Sequence, residues 1–371
     1  MFMNKVIRLA EPFIKKKDSI NKLKTVLDSN FINEGNLTRA FEKKISKLLK
    51  VKYVVTCTSG TIAIFLSLKA IGVKRDDEVL IPNLTFPATA NAVSLAGAKP
   101  ILVDVDKNNL LISLEDLIKK ISRNTKAIIP VHTSGRGSNI REIMKIAKNK
   151  KIPVIEDAAE AFMSKFGRKF YGTFGEVGCF SFAPNKILTT GQGGIVVTNK
   201  KKIFKELCKL KDQGRNKPTG NGEDNYDMIG YNFKFTNLQS ALGLSQLQDI
   251  NWRISKLKKI YKFYTNNIKP NKNFRFIGFK LHKGEVPLWT DVICYKRNKL
   301  YNYLKKRNIQ CRYFWKPINT NKPYKKTFKT LNNSKYLNGK LMWLPASLSL
   351  KENDLKKICE HINKFVKINF R

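Results

Sequence analysis

The chain has 371 residues, 42% of them hydrophobic, and its 71 Lys and Arg against 28 Asp and Glu give a formal net charge of +43. That apolar share excludes a disordered chain, and the lack of any apolar run of about 18 residues excludes a membrane-spanning helix. The charge alone would admit a nucleic-acid binder, but the basic residues are spread from end to end and no base-reading motif accompanies them, so no specific nucleic-acid contact is expected.

The first residues, MFMNKVIRLAEPFIKKKD, hold neither a continuous apolar segment nor a small-residue cleavage site, so a soluble cytoplasmic protein with no membrane contact is expected. Residues 18–29 put Ile20, Leu23, Val26 and Leu27 on one helical face. The loop FINEG follows, and residues 38–49 repeat the helical pattern with Phe41, Ile45, Leu48 and Leu49. YVVTC (53–57) reads as a strand, TSGT (58–61) as a turn, and 61–72 as a helix closed by Gly72.

From there strands and helices alternate. Residues 78–82, 100–105, 127–131 and 153–157 read as strands, and 86–97 and 139–149 as helices. Ser113 opens an S-x-x-D cap for the helix before Ile121. Nearly continuous apolar strands between amphipathic helices predict a parallel sheet covered on both faces, with ligands at the carboxyl ends of its strands. Thr58–Thr61, Phe86, His132 and Asp157 stand at such ends. A further apolar run leads to Ser181 and Lys186, and the turn LTTGQGG leads into one more strand. After Thr198 come a basic helix, the polar loop KPTGNGEDNYD (217–227), and a T-x-x-Q capping box at Thr236. A long polar helix from about residue 250 opens a second, smaller α+β domain. It ends in a helix striped by Leu355, Ile358, Ile362 and Phe365. The expected domains are 1–250 and 251–371.

Ser59-Gly60-Thr61 combines a tight turn with the free N–H groups of a helix start, which suits a phosphate or serves simply as a cap. Asp157 ends an apolar strand, where a carboxylate needs a partner: a protonated pyridine nitrogen, or the N–H groups of a following helix. A lysine at the edge of a core, as Lys186 is, must pair or shift its pKa, and desolvation makes its amine a nucleophile. With Phe86, these are the parts that hold and use pyridoxal phosphate. Six cysteines without CxxC spacing (Cys57, Cys179, Cys208, Cys294, Cys311 and Cys359) read as free thiols in a reducing compartment, and no metal site is expected.

Seven blocks occur in order: IRLAEPFI…FINEGNLTRAFEKKI, TSGTIAIFLSL, DDEVLIPNLTFPATANAV, GAKPILVDVD, PVIEDAAEAF, FSFAPNKILTTGQGGIVVTN and GYNFKFTNLQSALGLSQL. Together they resemble the DegT/DnrJ/StrS family of sugar aminotransferases along nearly the whole chain. The resemblance implies the pyridoxal-phosphate-dependent transferase fold type I. Its large domain has a mostly parallel seven-stranded sheet between helices, and a small α+β domain follows. It implies an aminotransferase that turns a nucleotide-linked keto-sugar, by default a 4-keto-6-deoxy sugar, into the amino sugar, with glutamate as donor, in a surface polysaccharide or related pathway.

By the same resemblance, Lys186 matches the lysine that carries the cofactor and moves the proton. Asp157 matches the acid under the ring nitrogen, and Glu160 a polar residue near the ring hydroxyl. Phe86 matches the aromatic stacked on the ring, and Gly60, Thr61 and Ser181 match phosphate-binding positions. Asn232 matches an asparagine that reaches the neighbouring subunit's phosphate, which implies a homodimer with shared sites. The chain departs from the family pattern at Gln192 in GQGG and at VHTSGRG (131–137), where Arg136 is either an anion contact or a surface residue. Tyr313, Phe314 and Trp315 either line a sugar pocket or pack. Two other readings remain: a sugar dehydratase of the same family, which would carry His in place of Lys186, and a non-catalytic regulator that binds nucleic acid.

Overall fold

The computed structural model describes residues 6–216, 223–325 and 329–370. Helices α1 (Lys16–Asp28) and α2 (Asn36–Leu49) precede β1 (Tyr53–Cys57), and an alternating run follows. It comprises α3 (Gly60–Ala70), β2 (Glu78–Pro82), α4 (Ala88–Leu95), β3 (Lys99–Val103), α5 (Leu114–Lys120), β4 (Thr125–Ile128), α6 (Ile140–Lys150) and β5 (Ile155–Asp157). A two-residue hairpin, β6 (Lys165–Phe166) and β7 (Lys169–Phe170), leads to β8 (Val177–Ser181), β9 (Gly194–Thr198) and α7 (Lys201–Lys211).

One set of four strands is ordered β1-β9-β8-β5 and one of three β3-β2-β4. The parallel bridges Ile128–Val154 and Val131–Asp157 join them into a seven-stranded sheet in which only β9 runs against the rest. The mostly parallel sheet read from the sequence is thus present. β8 and β9 are buried along their whole length, which explains their largely apolar sequences, and β5 is buried as well although it ends in Glu156 and Asp157. α3 buries six consecutive residues, Ala63–Leu68, so it is apolar all round. α2 buries a single stripe of Phe41, Ile45 and Leu49 under a charged outer face.

Helices α8 (Asn237–Leu247) and α9 (Ile250–Asn267) follow, with the capping box of Thr236 and Gln239 closed in both directions. The C-terminal sheet has the order β10-β11-β13-β12, all antiparallel: β10 (Phe274–Phe276), β11 (Thr290–Cys294), β12 (Arg312–Tyr313) and β13 (Leu341–Leu344). Around it lie α10 (Arg297–Lys305), α11 (Asn332–Leu337) and α12 (Glu352–Asn369), and the α12 stripe of Leu355, Ile358, Ile362 and Phe365 is buried as expected. Buried polar pairs tie this sheet to the larger one. Asn83 and Asn319 exchange two hydrogen bonds of 3.0 Å, and Asp104 accepts from the Ser334 hydroxyl at 2.6 Å.

The face predicted for α1 is not the buried one. Val26 is buried, but Ile20 and Leu27 are 60% and 58% exposed. α1 crosses α8 through a small polar contact, the Ser19 and Ser245 hydroxyls 2.9 Å apart, and this turns the larger apolar residues outward. The strand expected at 127–131 ends at Ile128, and residues 217–222 of the polar loop lie outside the described residues. No helix among the described residues is long and apolar enough to cross a membrane.

Candidate active site

Gly60, Thr61, Phe86, Asp157, Glu160, Ser181 and Lys186 all line one cavity of about 320 Å³. It opens at the carboxyl ends of the strands, where the alternating pattern placed it. The Ser59 hydroxyl accepts from the Ile62 N–H at 3.2 Å and caps α3. The first-turn N–H groups of Gly60 and Thr61 have no acceptor within the helix, and both residues line the cavity. A Cβ on Gly60 would lie 2.8 Å from Ser181 Cβ and 3.2 Å from its hydroxyl, so only glycine leaves room beside that donor.

Asp157 is fully buried at the end of β5. Burial pushes its carboxyl pKa up. The Thr89 hydroxyl at 2.8 Å, the Ala159 N–H at 3.2 Å and the nearby Lys186 oppose that, and Glu160 adds to it. No helix follows for Asp157 to cap, because residues 158–164 form turns. A cation in the cavity, as a protonated pyridine nitrogen would be, would offset the burial that raises the pKa of this acid.

Lys186 sits in the loop between β8 and β9. The Phe182 N–H donates to Gly193 O at 2.8 Å and the Thr190 N–H to Phe182 O at 3.0 Å, so the loop is fixed at its base. Arg253, buried on α9, donates to the carbonyls of Ile187 and Phe13 at 3.1 and 2.7 Å, and burial holds its guanidinium down to about 10. The Lys186 Nζ stands 3.4 Å from Glu160 Oε1. Glu160 also accepts from the Trp289 indole at 2.9 Å and from the Ser134 N–H at 2.8 Å. An anion-binding helix start with two hydroxyls, a buried acid and an amine is a donor set that fits pyridoxal phosphate.

Other candidates lie elsewhere. His132 points behind the sheet. Its Nδ1 accepts from the Ser138 N–H, so Nε2–H donates to Glu156, and both side chains are fully buried. Arg136 is neither a surface residue nor an open anion contact, because its Nη1 pairs with Asp291 at 2.6 Å inside the protein. Burial raises the pKa of Asp291, and Arg136 is the main influence against it. Trp315 lines the cavity with its ring 5.7 Å from Phe86, whereas Phe314 packs on Trp343 and Tyr313 lies under the Arg297 guanidinium. Phe86 is half exposed at the mouth. Gln192 lines the same mouth, and its carbonyl accepts from Gln239 and Thr190, both at 2.7 Å. Asn232 is exposed and does not line this cavity.

The sequence reading passed over Ser134, Trp289, Asp291 and Trp343. Asp291 carried a usable signal: it is an acid inside the apolar run LWTDVIC, the same anomaly that marked Asp157.

The model of the DegT/DnrJ/EryC1/StrS aminotransferase family matches residues 14–363. The GDP-perosamine synthase of Escherichia coli O157:H7 is 35% identical over 360 residues, 95% of each chain. That of Vibrio cholerae is 31% identical over 355 residues, 92% of this chain and 95% of the relative. The solved structure of Helicobacter pylori PseC, an aminotransferase involved in the biosynthesis of pseudoaminic acid, superposes with a TM-score of 0.90. It is 25% identical and covers 98% of this chain and 100% of that one.

Proposed function

Because the chain belongs to the DegT/DnrJ/EryC1/StrS aminotransferase family, it is a pyridoxal-phosphate-dependent transaminase of fold type I, and we propose that it aminates a nucleotide-linked keto-sugar with glutamate as donor. The observation that carries this reading is the joint placement of Lys186 and Asp157 on one cavity, in a chain matched end to end by relatives named GDP-perosamine synthase. A 4-keto-6-deoxy sugar is the acceptor we propose by default. We further propose a cytoplasmic homodimer in which the exposed Asn232 completes the partner's site.

Bound pyridoxal phosphate supplies an electron sink for the carbon that carries the transferred nitrogen. Gly60 and Thr61 would hold its phosphate with backbone N–H groups, and Ser181 would add a hydroxyl. Asp157 would sit under the ring nitrogen and favour its protonated form, and such a cation would in turn favour the ionised Asp157. Lys186 would carry the cofactor through its Nζ, and the same amine, once free, would serve as the base and acid that moves the proton. Phe86 and Trp315 stand side by side at the mouth, their rings 5.7 Å apart. A dehydratase would need His where Lys186 stands, so transamination is the better-supported reaction.

Borohydride should fix the cofactor on the peptide containing Lys186. Glutamate should convert the bound cofactor to its amine form, and a nucleotide keto-sugar should reverse that change. Retention of both covalent cofactor and turnover in Lys186→Ala would overturn the assignment.

A further inference from the structure

The Lys186 ammonium and the Glu160 carboxylate are close but not in tight contact. They are 3.4 Å apart, with side chains 12% and 5% exposed. A charge-assisted contact ordinarily closes to about 2.7–2.9 Å, and attraction is stronger in such a secluded place than at the surface. Two donors hold the carboxylate where it is. The Trp289 indole N–H donates to Oε1, the oxygen that faces Lys186, at 2.9 Å, and the Ser134 backbone N–H donates to Oε2 at 2.8 Å.

Both donors are themselves fixed. Ser134 lies in the left-handed region at φ 57°, and Gly135 follows at φ +95°. A Cβ on Gly135 would fall 1.9 Å from Val286 O, so this turn is locked against the segment leading into β11. Trp289 stacks on Trp343 with centroids 4.8 Å apart and planes at 15°. The Trp343 indole N–H donates to Asp291 Oδ1 at 2.6 Å. Asp291 is held in turn by Arg136 at 2.6 Å and by the Ser134 hydroxyl at 3.1 Å. The buried pair of Arg136 and Asp291 thus anchors a stack of two indoles, one of which aims its N–H at Glu160.

We propose that Trp289 is a positioning residue whose indole N–H, together with the Ser134 N–H, restrains Glu160 from closing on Lys186 and so keeps the amine available to take up the cofactor. The inference rests on the transaminase reading. Uptake requires the neutral amine. Nζ forms a double bond to the aldehyde carbon, the aldehyde oxygen leaves as water with both amine hydrogens, and an ammonium must first lose one proton. A carboxylate closed tightly on Nζ would retain that proton. The charged groups around Nζ are Glu160 and Asp157 in the cavity and Arg312 at its mouth, with the pair of Asp291 and Arg136 behind Glu160.

The test follows uptake itself. Cofactor-stripped protein is mixed with pyridoxal phosphate, and the absorbance of the protein-bound cofactor is recorded across a pH series. Trp289→Phe keeps a ring in the stack and loses the N–H. It is expected to slow uptake about tenfold at neutral pH and to move the midpoint of the rate profile to higher pH. In a Glu160→Gln background, with no carboxylate to restrain, the same substitution should change the rate less than about twofold. An unchanged profile in Trp289→Phe, or a slowing that persists in the Glu160→Gln background, would overturn the proposal, since the second result is what lost packing alone produces. If Trp289→Phe does not fold, Trp343→Phe releases the stack from Asp291. It should then move the midpoint the same way by a smaller amount, and an unmoved midpoint counts against the restraint. A wild-type protein that takes up no pyridoxal phosphate would instead overturn the transaminase reading.

Discussion

Asp157 carries a burial cost that Thr89, Ala159 and Lys186 offset only in part. Its pKa is raised by burial, so its contribution to stability is fully present at acid pH and is lost as pH rises through the folded-state value. Cofactor-free Asp157→Asn should therefore melt at a higher temperature than cofactor-free wild type at pH 7. The difference should vanish toward the ordinary carboxyl value of 3.8. With cofactor bound the order reverses in function, because the amide cannot hold the ring nitrogen's proton, and turnover should fall by about 100-fold or more. Melting curves with and without cofactor, paired with steady-state rates, check both halves. Asp157 stood out in the sequence because a carboxylate at the end of an apolar strand is anomalous in any fold, whereas Lys186, one lysine among many, stood out through the glycine turn after it and the family blocks around it. Trp289 and Ser134 did not. Trp289 acts across 129 positions of sequence, and Ser134 acts through a backbone N–H, which every residue but proline carries.

Among the elements, α8 shows how a local signal reaches the site. Its capping box is complete, and Gln239, the residue that closes it, also donates to the Gln192 carbonyl at the cavity mouth. Thr236→Ala should lower the urea midpoint by the equivalent of about 1 kcal/mol, with an unchanged denaturant slope. A changed slope would mean that the loss spreads beyond the helix start. The strands at 53–57 and 78–82 were found at their true limits because charged or turn residues bound short apolar runs. The buried face of α1 was misread because apolar spacing names a stripe but not the partner's contour. Against the small residues of α8, Ser19 and Val26 fit where Ile20 and Leu27 would not.

For the whole molecule, the net charge of +43 sets up a field that draws anionic substrates, and salt screens it. The KM for a nucleotide sugar should rise by roughly threefold or more between 0.05 and 0.5 M salt, with kcat changed little. A KM insensitive to salt would assign substrate capture to contacts inside the cavity alone. Composition gave no hint of the fold, whereas the alternation of apolar strands and helices led to the sheet and to the edge where the cavity lies.

The seven-stranded sheet is built from two sets of strands that meet at two isolated bridges, one of them at Asp157. The three-stranded set is a single uninterrupted stretch from Glu78 to Ile128, whereas the four-stranded set is assembled from chain on either side of it. The two walls of the cavity therefore have different architectures. Gly60, Asp157, Ser181 and Lys186 belong to the dispersed set, and Phe86 to the continuous one. Exchange of that one contiguous cassette would replace Phe86 and also Thr89, whose hydroxyl holds Asp157, and would leave Gly60, Asp157, Ser181 and Lys186 in place. One wall of the cavity is thus encoded in a single stretch, and the other is gathered from distant parts of the chain.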